Sequence, residues 1–314
     1  MSLLHDEKYF NFRRIESCQS SNSPGTSNSL HHTVMMQGDC EPKVLHISRN
    51  YIDSIDIDST GTKLILGISS LAGNTWDGGL TLLSTNTSDE ILKYSPAGIS
   101  TVRFSGSNLI LAARDDGTVA VYSAVDLHEI QVFNAHDDVV SCVADSPWSE
   151  SHFGSCSWDG SIHMWDWQSK AKPVSSYFSA HQGHVNAISF SPFDPQAFIS
   201  VGWDGYARQW DRRVNPSSGL SSSVQMDQIS SCVTYNSADA NTFLVGTDAG
   251  DISVCDLRAL DSPSAKVSTV RIHKGRVRRI LTSPAKSSVF VSASDDTTYA
   301  TCSIEHGSLL EKSR

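Results

Sequence analysis

The sequence is poor in the features that mark many protein classes. No apolar run approaches the roughly 18 residues of a membrane-spanning helix, and the first residues carry no signal-peptide core, so neither a membrane protein nor a secreted one is expected. The seven cysteines, at positions 18, 40, 142, 156, 232, 255 and 302, include no C-x2-C pair. Several fall inside strand patterns, and reduced, buried thiols of an intracellular protein are the expectation. Neither G-x-x-x-x-G-K-[ST] nor G-x-G-x-x-G occurs, which removes the usual phosphate-cradling loops and any recognisable nucleotide or methyl-donor site. Positive charge is scarce: 24 Lys and Arg against 34 Asp and Glu give a net charge of -10, which disfavours a nucleic-acid partner. No helical period competes with the strand patterns.

What the chain does have is repetition. Ser157-Trp158-Asp159-Gly160, followed by Ser161-Ile162-His163-Met164-Trp165-Asp166, returns 45 residues later as Gly202-Trp203-Asp204-Gly205 and Tyr206-Ala207-Arg208-Gln209-Trp210-Asp211. Each copy reads as a strand end, a tight Asp-Gly turn and a strand closed by Trp-Asp. Weaker copies surround Asp116, Ala249 and Asp296, and Thr75-Trp76-Asp77-Gly78 reads as a looser first one. The turn positions 77, 116, 159, 204, 249 and 296 are spaced by 39, 43, 45, 45 and 47 residues. This period and ending resemble the WD40 blade. The predicted fold is an all-β WD40 propeller of four-stranded antiparallel units with six countable repeats. A seventh would have to be assembled from the N-terminal strands and the tail.

Residues 1–44 read as an irregular N-terminal segment, a source for a closing strand, and 45–314 as the propeller. Lys8 to Ile15, Thr33 to Met36 and Val44 to Ile47 are strand candidates, and Cys18 to Ser29 is rich in Ser and Asn. In the first blade Lys63 to Ile68 is a dense apolar strand, Ser69 to Gly78 an inserted loop, and Leu80 to Leu83 the resumed sheet. The fourth strand of the sixth blade is expected near Leu309.

Blades three and four repeat a polar set: His136, Ser155, Asp159 and Trp165, then His181, Ser200, Asp204 and Trp210. A buried imidazole needs partners for both nitrogens, which the turn Asp and the strand Ser can supply, with the indole N–H joining them. Ser, His and Asp together also suggest a hydrolase. Their recurrence in successive blades argues for a device of the fold instead, so no catalytic residue and no cofactor is expected. Blade six keeps His273, Ser292 and Asp296 but has Cys302 for the Trp. Blade five has Ala249 and Cys255, and blade two has no His, so packing alone is expected to hold those positions. His31, His32, His181 and His184 form no convincing zinc ligand set. The basic run Arg271, Lys274, Arg276, Arg278 and Arg279 is a candidate docking patch for an acidic or phosphorylated partner, or a solvated loop. Asp53, Asp56, Asp58 and the Asp137-Asp138 pair offer the opposite sign, and Asp137 and Asp138 are the candidates for holding a basic tail.

Beyond the generic repeat, Leu64 to Gly79, with Gly67-Ile68-Ser69-Ser70-Leu71-Ala72-Gly73-Asn74-Thr75-Trp76-Asp77-Gly78, resembles the first-blade loop of the methylosome protein 50 family. Leu109 to Tyr122, Ala135 to Ser141 and Phe243 to Ser253 continue the likeness, which covers roughly residues 50–305. That family is the WD-repeat subunit of the type II protein arginine methyltransferase complex. The resemblance implies a non-catalytic adaptor in a hetero-octamer, four propellers around four enzymes, in cytoplasm and nucleus. It also implies presentation of histone and Sm protein tails for symmetric dimethylation, with no direct nucleic-acid or membrane contact. Leu71, Asn74, Thr75 and Trp76 would hold the methyltransferase, Trp76 by insertion into its barrel domain. The plainer alternative for Trp76 is a place in the first-blade core, matching Trp158 and Trp203 before the turn Asp. The family has seven blades, a departure from the six counted here. The wider alternative for the whole chain is a WD40 scaffold in another chromatin, RNA-processing or ubiquitin-ligase assembly.

Overall fold

Short segments rich in Val, Ile, Leu, Phe and Tyr, punctuated by Gly, Asp, Asn and Ser, satisfy their backbones by pairing with one another. The computed structural model describes residues 16–17, 32–36, 43–48, 51–72, 75–87, 89–134, 136–169, 172–305 and 308–310. Blade 1 comprises Tyr51–Ile57, Lys63–Ala72, Thr75–Ser84 and Glu90–Ser95. Blade 2 comprises Ile99–Ser105, Leu109–Arg114, Thr118–Ser123 and Glu129–Asn134. Blade 3 comprises Val140–Asp145, His152–Ser157, Ile162–Asp166 and Ser175–Tyr177, and blade 4 Val185–Phe190, Ala197–Gly202, Tyr206–Asp211 and Leu220–Gln225. Blade 5 comprises Ser230–Tyr235, Thr242–Thr247, Asp251–Asp256 and Lys266–Arg271, and blade 6 Val277–Thr282, Val289–Ser294, Tyr299–Glu305 and Ser308–Leu310. Strand order within each sheet follows chain order, and the first strands of successive blades lie side by side from blade 1 to blade 6. The fold is a six-bladed β-propeller.

The N-terminal strands do not enter the sixth blade. Glu16–Ser17, His32–Met36 and Lys43–Ser48 pair among themselves as a three-stranded sheet, and Ser308–Leu310 completes blade 6 through a local hairpin. Closing that short loop costs less entropy than bringing back the distant N-terminus. The strand expected at 8–15 lies outside the described residues.

The core lies between blades. Ile65, Leu80 and Leu82 of blade 1 meet Ile99, Val102, Phe104 and Ile110 of blade 2, and Val121 and Phe133 of blade 2 meet Val143, Phe153 and Trp165 of blade 3. In blades 2 to 5 both faces of the sheet are covered, and the second strands read as continuous apolar runs rather than alternating ones; in blade 6 the pattern alternates, with Leu281 and Val291 exposed. Between its first and second strands every blade has a register shift near the start of the first strand, one residue in for blades 2 to 6, as at Val140/Cys142 and Val185/Ala187, and two residues in for blade 1 at Ile52/Ser54. In blades 2 to 5 the residue in that bulge carries a link to the next blade. Ser100 donates to the Val140 carbonyl, Ser141 to the Val185 carbonyl at 2.5 Å, Asn186 to the Ser230 carbonyl at 2.7 Å and Ser231 to the Val277 carbonyl at 2.7 Å.

Blade 1 departs from the pattern at its second and third strands. In the other blades this hairpin ends at pairs such as Ala113↔Val119, Cys156↔Ile162 and Val201↔Ala207. The equivalent pair in blade 1 is Gly67↔Leu80, and pairing continues without interruption to Ala72↔Thr75. At about 3.3 Å per residue the hairpin runs on by roughly 16 Å. The supposed inserted loop is therefore mostly strand, and Asp77 is a strand residue, not a turn Asp. Gly78 and Gly79 likewise serve no bend: a Cβ on Gly78 would meet the Ile68 carbonyl oxygen at 2.5 Å and that of Ala97 at 2.7 Å. They let neighbouring backbone approach. The first strand of the blade stops pairing at Tyr51↔Ser69 and the fourth at Ser95↔Gly78. Beyond them Ser70↔Asp77, Leu71↔Trp76 and Ala72↔Thr75 form a ribbon with no third strand among the described residues.

Candidate functional site

The Asp-Gly turns and the loops leading into each blade gather on one face of the propeller, here called the turn face. In blade 3, Ser155 Oγ accepts from Trp165 Nε1 at 2.8 Å and lies 2.7 Å from His136 Nε2. The hydroxyl therefore donates to Nε2, and Nδ1–H faces Ser161 Oγ at 3.0 Å and Asp159 Oδ2 at 3.3 Å. Blade 4 repeats the arrangement with Trp210 Nε1 to Ser200 Oγ at 2.8 Å, Ser200 Oγ to His181 Nε2 at 2.7 Å, and His181 Nδ1 to Asp204 Oδ1 at 2.8 Å. The turn carboxylates also accept backbone N–H groups, from Asp137 at 3.0 Å and from Gln182 at 2.9 Å. Burial alone would raise the Asp159 and Asp204 carboxyls, but these hydrogen bonds hold both well below the ordinary carboxylate range. Burial lowers the pKa of His181 despite Asp204 beside it. Ser155 and Ser200 are fully buried, so neither hydroxyl is open to a substrate. In blade 6, His273 Nε2 is 2.8 Å from Ser292 Oγ and its Nδ1 lies 3.4 Å from Asp296 Oδ2.

Blade 2 corrects the expectation of packing alone. Tyr122 stands at the Trp position, and its hydroxyl bonds the buried Arg114 guanidinium, which also reaches Glu129 at 2.5 Å. A Tyr–Arg–Glu cluster stands in blade 2 where blades 3 and 4 have the histidine-centred set, while Asp116 keeps the turn position. Blade 5 matches the expectation more closely, with Cys255 fully buried among apolar side chains. Cys142, Cys156, Cys232, Cys255 and Cys302 are free and buried, and burial pushes the Cys232 and Cys255 thiols up to about 12. Cys18 and Cys40 lie outside the described residues.

The basic stretch is distributed among carboxylates. Arg276 meets Asp248 at 3.2 Å, Arg278 meets Asp295 at 2.6 Å and Arg271 lies 3.6 Å from Asp251. Arg279 lies on the first strand of blade 6 and reaches Asp56 of blade 1 at 3.5 Å, while Lys274 is exposed and donates its N–H to Asp296 at 2.8 Å. The acidic candidates divide too. Asp137 and Asp138 are exposed on the turn face, whereas Asp58 accepts from the Lys63 N–H in the turn at the opposite end of its strand. Near the turn face, burial and the neighbouring Asp53 and Asp116 raise the pKa of Asp115, a sign of concentrated negative charge.

Trp158 and Trp203 are not core residues: they are 41% and 48% exposed. Nor do they match Trp76 in position. By register the blade 1 counterpart of Trp158 is Ser69, and Trp76 lies farther out, paired with Leu71 on the two-stranded ribbon. Thr75 is the outermost paired residue of its strand, and Asn74 lies outside the described residues. Beside this ribbon the outer strand of blade 1 leaves Leu92 and Tyr94 each 68% exposed. Sequence reasoning missed this pair, although Ile91, Leu92 and Tyr94 stand close together in an outer strand.

Among the described residues no three His, Cys, Asp or Glu side chains cluster as metal ligands, and no helix is long and apolar enough to cross a membrane. The sequence model of the WD domain, G-beta repeat, matches residues 127–166 and 171–211, within which the two complete His–Ser–Asp–Trp sets complete their strands. No curated protein matches the chain. The two matched segments carry WD40 repeats and fall in blades 2 to 4 of the six-bladed propeller.

Proposed function

We propose that this WD-repeat propeller is a non-catalytic adaptor that holds a type II protein arginine methyltransferase through blade 1 and helps present basic tails, such as those of histones or Sm proteins, on its turn face. One observation carries the reading: the hairpin of blade 1 continues as a two-stranded ribbon with no third strand among the described residues, Leu71 paired to Trp76, beside an outer strand exposing Leu92 and Tyr94. A two-stranded ribbon is only marginally stable in water by itself, and exposed aromatic and aliphatic residues grouped at one edge mark a docking surface. The first-blade sequence supports the choice of partner through its resemblance to the methyltransferase-binding loop of the methylosome family. The buried polar sets serve folding, so the chemistry belongs to the partner.

Titration calorimetry of the folded Trp76→Ala variant against the methyltransferase barrel domain tests the reading. A loss of about 2 kcal/mol, roughly thirtyfold in affinity, is expected, with a melting temperature close to that of the unsubstituted protein. Unchanged affinity would sink the anchor role, and a large drop in melting temperature would return Trp76 to the core.

A further inference from the structure

The turn face carries an aromatic stack that the buried polar sets do not use. Trp158 and Trp203 occupy the same position in consecutive blades, each just before the turn aspartate. Between them lies His184, from the loop leading into blade 4. Its ring stacks on Trp158 at 4.7 Å with an interplanar angle of 8°, and on Trp203 at 4.2 Å and 35°. The backbone fixes both indoles: Trp158 N–H donates to the Val139 carbonyl at 3.0 Å and Trp203 N–H to the His184 carbonyl at 2.9 Å. The rings are thus held on rigid strand ends while each keeps over two-fifths of its surface open.

The exposed charge around this stack is acidic, and the nearby cation Arg208 is tied to Asp204 at 2.6 Å. Asp137 and Asp138 precede Val139 in the loop that touches Trp158, and the Asp138 carbonyl accepts from Ser157, the residue before Trp158. One blade back, Asp115 holds the position equivalent to Trp158, with Asp116 beside it. The arginines of blade 6 do not neutralise these acids, because Arg276 and Arg278 face Asp248 and Asp295. Open indole faces next to carboxylates attract cations through the ring quadrupole and Coulomb attraction together. A planar guanidinium can stack on an indole and pair with a carboxylate at once, which an ammonium cannot.

We propose that Trp158, His184 and Trp203, with Asp137 and Asp138, form a binding site for arginine side chains of an extended basic peptide crossing blades 3 and 4. The inference deepens the adaptor reading and rests on it only for the source of the peptide. The acidic surroundings that favour such a peptide would repel the phosphates of RNA, the other polymer that stacks on exposed aromatics.

Fluorescence anisotropy of the full chain with a labelled Gly-Arg repeat peptide, without any methyltransferase, tests the site. Trp158→Ala and Trp203→Ala should each weaken binding about tenfold, whereas Trp158→Phe and Trp203→Phe should retain most of it. A Gly-Lys repeat peptide of equal charge should bind several-fold more weakly. The phenylalanine variants keep the test decisive if an alanine variant fails to fold. No binding by the unsubstituted chain, equal affinity for the Arg and Lys peptides, or alanine variants that bind normally would overturn the site. Tight binding of an oligouridylate at the same tryptophans would do so as well. Failure of the adaptor reading would appear separately, as lost sensitivity of methyltransferase binding to Trp76→Ala with peptide binding intact.

Discussion

Replacing Asp204 by alanine removes one carboxylate with several duties. It accepts from His181 Nδ1 at 2.8 Å, from the Gln182 N–H at 2.9 Å, from Arg208 Nη1 at 2.6 Å and from the Tyr206 N–H at 3.2 Å. Gln182 is exposed and water can replace its partner. His181 is buried at 3% exposure, and its Nδ1–H is left without an acceptor. One orphaned buried donor costs about 1–3 kcal/mol. At roughly 2–4 °C per kcal/mol for a large domain, a loss of about 2 kcal/mol lowers the melting temperature by about 4–8 °C. Asp116→Ala supplies the internal control, because Asp116 holds the same turn position in blade 2. Exposed itself, Asp116 accepts from the N–H and hydroxyl of half-buried Thr118, and its removal should cost no more than about 0.5 kcal/mol. Scanning calorimetry of both variants decides the matter. Equal shifts for the two, or a normal melting temperature with lost partner binding for Asp204→Ala, would refute the structural role assigned to the carboxylate.

Acidification should destabilise the fold in two stages of the same sign. Burial depresses the His181 pKa, so unfolding takes up a proton and stability falls as pH drops below about 6.5, the unfolded value. Asp159, Asp204 and Asp296 have depressed carboxyl pKa values; their contribution is complete above about pH 4 and is lost as pH falls towards their folded values. Urea midpoints measured from pH 7.5 to 3.5 should fall steadily, and a rise on acidification would contradict both assignments. Thr297 holds a left-handed φ of 64° where Gly117, Gly160, Gly205 and Gly250 hold the same turn in other blades, so Thr297→Gly should stabilise by about 1 kcal/mol in denaturant titration. Lysine at both Asp137 and Asp138 should weaken histone-peptide binding by about tenfold at low salt, and less at high salt, while methyltransferase binding stays constant; equal peptide affinity at low salt would remove their role.

Blades 3 and 4 were legible because the Ser and Asp partners of the buried histidine lie at fixed offsets from the Asp-Gly turn. Blade 2 was not, since Arg114, Tyr122 and Glu129 belong to no repeated pattern and only strand pairing brings them together. The blade 1 hairpin misled for a different reason. Thr75-Trp76-Asp77-Gly78 imitates the turn sequence, and its spacing of 39 residues to the next copy, the shortest in the chain, is the trace of a displaced position. The true counterpart, Ser69, carries no motif; its hydroxyl accepts the Ile99 N–H at 3.1 Å. Trp158 and Trp203 looked like core by composition alone, since a residue preceding a turn Asp can face either way and only the three-dimensional path of the loop at His184 decides it.

The hydroxyl and amide links between blades have a direction. In blades 2 to 5 the donor sits in the bulge of one blade and the acceptor on the first strand of the blade that follows it in the chain. In blade 6 the bulge residue is Arg278, which turns instead to Asp295 of its own blade. Each link couples nearest neighbours only, so cooperativity passes along the ring as it does along a chain of coupled repeats. During synthesis a finished blade displays its donor before its acceptor exists, and the next blade is captured as it emerges. Ring assembly thereby acquires an order that runs with translation, and an opening fluctuation between two blades must break one such link together with the apolar contacts beneath it.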